Sequence, residues 1–367
     1  MNALTSRRAI VRLILMGMFA FSLSGWRLAF ASGGEPEAVV EAWNARQNEI
    51  RTLHFSWSGV HFRAGVAAVA LRPAKVLPRP EATFDMRMTF TTDGSGRIRL
   101  EDYGKDWSDK QEAYVPKETK DVFDGQLRRV FFPKGGEFPN AHVTSTEACA
   151  SARDIRLFPI RLAYRAFDTT MGVLDEAGLT LTETKSIVDD RSCRVLRQRG
   201  DWFEHTIWVD PARSFVPLRY TRSRQGVVRT QVEISYSEDK EYGWVPTSWN
   251  IVLLNKQTSN IQESWSGTVT EYKLNHPIPD VTFQLTYPPG TWVHDYVTDQ
   301  EYIIRGGGNR RPILRGEYTG DNYEQLLHSD PPSLAKPWGL RRVLGILSGI
   351  GGLLAVLMYL GWRVRSK

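Results

Sequence analysis

Two cysteines in 367 residues allow one disulfide at most. A small scaffold stapled by many bridges is therefore excluded. The pair is Cys149 and Cys193. In an exported chain they can oxidise to a disulfide; the alternative is two separate buried thiols, because sequence fixes no distance between them. The chain also lacks a Gly-rich phosphate loop, a His-Glu-x-x-His helix and a Gly-x-Ser-x-Gly elbow. Each of these would have pointed to a definite chemistry. The seven histidines are scattered. Glu204 and His205 are neighbours in a predicted strand, so their side chains face opposite ways and cannot jointly grip a metal. Asp189, Asp190 and Asp210 read as turn residues rather than paired catalytic carboxylates. The expectation is a protein with no catalytic residue, no cofactor and no metal ligand, and so not an enzyme.

Long apolar runs are confined to the two ends. Arg7, Arg8 and Arg12 precede an uncharged stretch from Leu13 to Gly25, and Ala29-Phe30-Ala31 follows. This is the pattern of a signal peptide over 1–31, with the mature chain starting near Ser32. Ser6-Arg7-Arg8 with Arg12 also resembles a twin-arginine export signal, although Ile10 replaces the usual Phe. At the other end, Val343 to Trp362 is twenty residues without a charge, long enough to cross a bilayer core of about 30 Å. The expectation is a single-pass protein of the cytoplasmic membrane with its main domain on the extracytoplasmic, periplasmic side. Gly345 and Gly349 offer a close helix-packing face, or are merely two of the glycines common in such helices.

The formal charge of +6 belongs to these ends. Residues 32–335 carry −4, a poor match for a phosphate backbone, so no nucleic-acid partner is expected. That segment is long enough for one large β-rich domain.

Pro36 to about Ile50 reads as a helix, with Val39, Val40, Trp43 and Ile50 on one face. Strand alternation then takes over. Leu53, Phe55 and Trp57 share one side, and Phe84, Met86, Met88 and Phe90 alternate with Asp85, Arg87 and Thr89. Asp93-Gly94-Ser95-Gly96 and Asp124-Gly125 mark turns. Residues 145–175 change to a roughly helical spacing, read as two short helices broken at Pro159. Strands are predicted at 179–187, 192–199, 203–209, 216–223, 227–237, 244–254, 261–274 and 281–287. Ala64–Pro80 has no clean period. Residues 306–337, rich in Gly and Pro, read as a juxtamembrane linker before the membrane helix and short tail at 338–367. The fold class expected is α+β: a curved antiparallel sheet covered by helices.

The apolar face carrying Phe55, Trp57, Phe84, Met86, Met88 and Phe90 is the candidate ligand-binding surface. Ordinary core under the helices is the competing reading of the same residues. Met86 and Met88 favour a cavity, because flexible thioethers adapt to varied apolar ligands.

The order of elements resembles a known family. A helix runs into a strand (Val39–Trp57), and a helical insert interrupts the sheet (Ser145–Asp175). Trp208-Val209-Asp210-Pro211, Val216-Pro217-Leu218-Arg219 and Trp244-Val245-Pro246 follow in turn. Last comes Phe283-x-Leu285-x-x-Pro288-Pro289-Gly290-Thr291-x-Val293. Together they resemble the periplasmic lipoprotein-carrier (LolA-like) family over roughly residues 35–305. The resemblance implies an unclosed β-barrel, 32–305, whose concave apolar face accepts acyl chains of lipid or lipoprotein. The membrane tether departs from the soluble carriers and rules out shuttling between membranes. A sensor or scaffold that contacts an envelope protein is the rival expectation.

Overall fold

The protein is described by a computed structural model covering residues 35–65, 69–70, 75–76, 78–134, 136–145, 153–169 and 171–331. The expected signal peptide, the membrane segment Val343 to Trp362 and Cys149 lie outside the described residues. Among the described residues no helix is long and apolar enough to cross a membrane.

Helix α1 (Glu35–Glu49) leads into β1 (Leu53–Arg63). After a two-stranded ladder, β2 (Val69–Ala70) and β3 (Lys75–Val76), come β4 (Ala82–Thr92), β5 (Ile98–Ser108), β6 (Ala113–Phe123), β7 (Arg128–Phe132) and β8 (Asn140–Thr144). The insert contributes α2 (Phe158–Tyr164). The second half runs through β9 (Leu179–Val188), β10 (Arg191–Arg199), β11 (Glu204–Asp210), β12 (Val216–Arg224), β13 (Val227–Asp239), β14 (Gly243–Leu254) and β15 (Ile261–Leu274). It ends with β16 (Trp292–Asp295), β17 (Gln300–Ile304), β18 (Arg310–Ile313) and α3 (Tyr323–His328).

All strands except β2 and β3 form one sheet of sixteen, ordered β18-β17-β16-β8-β7-β6-β5-β4-β1-β15-β14-β13-β12-β11-β10-β9. Every neighbouring pair is antiparallel except β8 and β16. The two ends do not meet, so the sheet is a large unclosed barrel-like structure with few helices. The expected α+β, unclosed-barrel class holds for the described domain.

Local chemistry explains the hairpins. Asp189 and Asp190, then Gln225 and Gly226, all have positive φ, as a two-residue turn between twisted strands requires. At Asp124-Gly125 the Asp124 carboxylate accepts from the amides of Gln126 and Leu127, at 2.9 and 2.8 Å. Pro159 begins α2 rather than breaking a helix. It lacks an amide hydrogen, and the first helical turn has no acceptor for one.

Helices α1 and α2 lie on the concave face over β1, β4 and β10–β15, forming one continuous core. Val39, Trp43 and Ile50 of α1 are buried as expected. Arg161 and Arg165 of the insert are buried too, and spend their charges on carbonyl oxygens. Arg161 donates to Met171 and Gly172, and Arg165 to Tyr164 and Arg51. These bonds hold the insert in place.

Two segments depart from the sequence reading. The predicted strand at 281–287 is a single 3-10 turn, Asp280–Phe283, within a strap that crosses the convex face. Arg97 pairs with Asp280 at 2.8 Å, and Arg99 donates to the Thr282 carbonyl at 2.9 Å. The strap carries the chain from β15 across to β8, which is why β16 can pair parallel. The expected linker is also folded as far as residue 331. Arg311 is buried against Glu317 at 2.5 Å and donates to the Ser329 carbonyl at 2.7 Å. Leu326 of α3 packs on Trp292 and Ile303. Aromatic residues interleaved with the glycines and prolines made this segment a sheet cover.

Candidate functional site

The inward row of β1 begins apolar with Leu53, Phe55 and Trp57, then becomes Gly59, His61 and Arg63. In β5 the same change runs from Ile98 and Leu100 to Asp102, Gly104 and Asp106. The sheet register sets these changes side by side: Gly59 faces Met86, and His61 faces Phe84. The barrel therefore has a filled apolar end and a polar mouth.

All six predicted residues sit on the inward faces of the adjacent strands β1 and β4, with Phe55 opposite Phe90 and Trp57 opposite Met88. Those four are sealed in the core at 0% exposure. Phe55 lies against Tyr164 of α2, with ring centroids 5.9 Å apart. Phe84 packs between the rings of His61 and Tyr114. Met86 borders open space: it lines a cavity of about 320 Å³ together with Ile155, Leu253 and Trp265. The gap has a physical origin. Met86 is flanked by glycines on both sides, Gly59 on β1 and Gly104 on β5. Gly267, opposite Gly59 on β15, is overlain by the indoles of Trp57 and Trp249.

Charged side chains make up most of the remaining lining. Glu263 takes His61 at 2.6 Å and the Arg63 Nε at 2.8 Å. Arg63 also reaches Asp106 at 2.8 Å, and Lys117 meets that carboxylate at 3.1 Å. On the insert side, Arg156 bridges Asp154 at 2.6 Å and Asp102 at 2.8 Å. Burial works against the ionised Asp106, but hydrogen bonding from Arg63 and the Lys117 charge hold it down to about 2. Glu263 is lowered in the same way, by His61 and Arg63 against desolvation. Asp154 is lowered against strong desolvation by Arg156, whose own pKa is raised. The Asp106, Glu263 and Asp154 carboxylates thus stay ionised at neutral pH, each paired with a cation of the collar. Chemically, the arrangement suits an amphiphile: an apolar patch for a chain end, and hydrogen-bonding charges of both signs for a head.

Sequence reasoning put Met86 on the face that borders this cavity and did not foresee the collar. The signal was the run of glycines inside strands, at Gly59, Gly104 and Gly267, together with the switch from apolar to charged inward residues.

Other sites resolve differently. Among the described residues no cluster of three or more His, Cys, Asp or Glu could hold a metal. Glu204 pairs with Arg199 at 3.0 Å, and His205 meets the Tyr220 hydroxyl at 2.7 Å. Cys193 is a free, buried thiol with Sγ 3.6 Å from the Arg191 carbonyl oxygen. The bridge to Cys149 is therefore not formed at its Cys193 end. A hollow of about 340 Å³ lies on the convex face beneath the strap, lined by His54, Thr89, Thr91 and Lys273. Its Arg99 is already committed to Glu101 at 2.6 Å. A wider groove of about 890 Å³, with His294, Tyr296 and Tyr318, lies against β17 and β18.

No family model matches the chain, and no curated protein matches it by sequence. The fold is similar to that of several solved structures. One is a putative outer membrane lipoprotein-sorting protein domain from Vibrio parahaemolyticus, at 10% identity and a TM-score of 0.41, covering 68% of this chain and 95% of that one. Another is a DUF1329 family protein from Desulfovibrio piger, at 10% identity and a TM-score of 0.36, with the same coverage. A third is a β-barrel-like protein from Brucella abortus, at 8% identity and a TM-score of 0.24, covering 62% of this chain and all of that one. Likeness at this level bears on neither the site nor its ligand.

Proposed function

We propose that this chain is a membrane-tethered, extracytoplasmic, non-enzymatic protein. It holds an acyl chain or another apolar ligand, free or carried on a lipoprotein, in the mouth of its open barrel. One observation carries the reading: a cavity in which an apolar patch, Met86, Ile155, Leu253 and Trp265, adjoins a collar of paired charges. Its size falls at the lower end of small-ligand pockets, which fits a single chain end rather than a whole lipoprotein. Phe55, Trp57, Met88 and Phe90 are buried beyond Met86 on the same face and would meet ligand only if the insert moved.

The test is titration with a fluorescent fatty acid. Unmodified protein binds the probe saturably. Met86→Trp, which places bulk over Gly59 and Gly104, abolishes that binding while the protein stays folded. Equal binding by both proteins would remove the cavity from the account. The rival, a scaffold for an envelope protein, is favoured by a different observation: β9 ends the sheet as an edge strand and carries Ile187 largely exposed. Unpaired edges recruit partner strands. Pull-down that depends on Ile187 and not on Met86 would favour it.

A further inference from the structure

Strand directions bring three hairpin tips to the end of the barrel where the cavity opens: residues 200–203 between β10 and β11, 225–226 between β12 and β13, and 255–260 between β14 and β15. These tips and the strand ends beside them carry large apolar side chains held out in water. Trp202 is 68% exposed, Ile261 47% and Val227 36%. Around them stand six cations, Arg197, Arg199, Arg222, Arg224, Arg229 and Lys256, against three carboxylates, Asp201, Glu204 and Glu263, with Glu204 paired to Arg199 at 3.0 Å. The cations are arranged with the aromatics: the Arg224 guanidinium lies 5.3 Å from the Trp202 ring, and that of Arg222 lies 4.7 Å from Phe203. Such a rim runs against the net charge of −4 carried by residues 32–335.

We propose that this rim docks on the surface of an anionic lipid bilayer, with Trp202, Val227 and Ile261 at headgroup depth and the arginines on lipid phosphates. Indole rings with one apolar and one wet side favour that depth, and nearby Arg and Lys add electrostatic attraction. Ser329 and Asp330, near the end of the described chain, are held by Arg305 just beyond β17, a strand that runs toward this end of the barrel. Residues 332–367, with the uncharged run 343–362, follow from there. A docked rim would point the cavity mouth at the membrane. The proposal does not depend on what the cavity holds, so a failure of the fatty-acid probe would leave it standing.

The test is hydrogen exchange, read by mass spectrometry on the full chain together with lipid nanodiscs. One set of discs is phosphatidylcholine alone, and the other is phosphatidylcholine and phosphatidylglycerol in equal parts. Tips at the opposite rim, 189–190, 211–215 and 239–243, serve as reference. Exchange at 200–203, 225–226 and 255–260 is expected to slow only with the anionic discs. It should recover in about 1 M salt, where the screening length drops to about 3 Å. In the double variant R199E/R224E, each removed cation should weaken binding about fivefold, and protection should vanish. Unchanged exchange in the core strands verifies its fold; if they change, Trp202→Ala takes its place. Equal exchange at the tips in both discs, or protection shared by both rims, would overturn the proposal. So would full protection already present with neutral discs, which would make the contact independent of anionic lipid.

Discussion

Replacing Met88 and Met86 by alanine, one at a time, separates core from cavity within a single strand. The two side chains are two residues apart on the same inward face of β4. Met88 is 0% exposed, opposite Trp57, inside the packed core. Truncation there leaves a closed void, so both the lost transfer energy and the cavity penalty apply. The expected cost is in the upper part of the about 2–5 kcal/mol range for buried Met→Ala. Met86 is also well buried, at 5%, but its side chain borders a space that already exists. Truncation enlarges an open cavity rather than creating a sealed one, so mainly the transfer part remains, about 2 kcal/mol or less. Urea unfolding gives both values from midpoints at a common slope. Met88→Ala should be the less stable by at least about 1 kcal/mol, and Met86→Ala should change fatty-acid binding. Equal destabilisation, with binding untouched in both, would refute the division of the concave face into core and site.

Gly59→Ala should prevent normal folding. The added Cβ would lie 1.7 Å from the Ser266 carbonyl oxygen, so β1 and β15 must separate; a cooperative unfolding transition like that of the unmodified protein would contradict this. Acid should destabilise the mouth. Asp106, Glu263 and Asp154 all have lowered pKa values in the fold, so they add stability above the unfolded carboxyl range and lose it as pH falls through the folded values. Unfolding midpoints should therefore drop as pH falls from about 4 toward 2, and Asp106→Asn should flatten that drop. Cys193 is fully buried and its thiol pKa is raised, by burial first and by Asp210; it should resist thiol reagents until the protein unfolds, and rapid labelling of native protein at Cys193 would count against the packing around it.

Much of the fold was legible because alternation survives burial on one side. Seven predicted strands between Leu179 and Leu274 match β9 to β15 nearly end to end, and Asp124-Gly125 and Gln225-Gly226 turn where their chemistry says. The eighth was misread. Val281, Phe283, Leu285 and Tyr287 alternate like a strand, yet they lie in a strap that crosses the sheet, with Leu285 and Tyr287 covering the convex core. Val281 itself is exposed, but from Phe283 to Tyr287 a segment packed across strands covers every second residue much as a paired strand does. The stretch 306–331 was misread for the opposite reason: its glycines and prolines hid Tyr318, Tyr323 and Leu326, which seal Trp292. At the site, the six apolar residues share a face as their period requires. Period alone cannot say which of them a helix will cover. That depended on α2 docking over Phe55 and on glycines beside Met86, both of them tertiary facts.

The most direct measurement is mass spectrometry of an organic extract from the purified full chain, run beside Met86→Trp prepared identically. A lipid with at least one acyl chain, present in near-stoichiometric amount in the unmodified protein and depleted in the variant, is the expected result. No acyl lipid above background in either extract, together with no saturable binding of added fatty acid, would contradict an acyl-chain site at the barrel mouth.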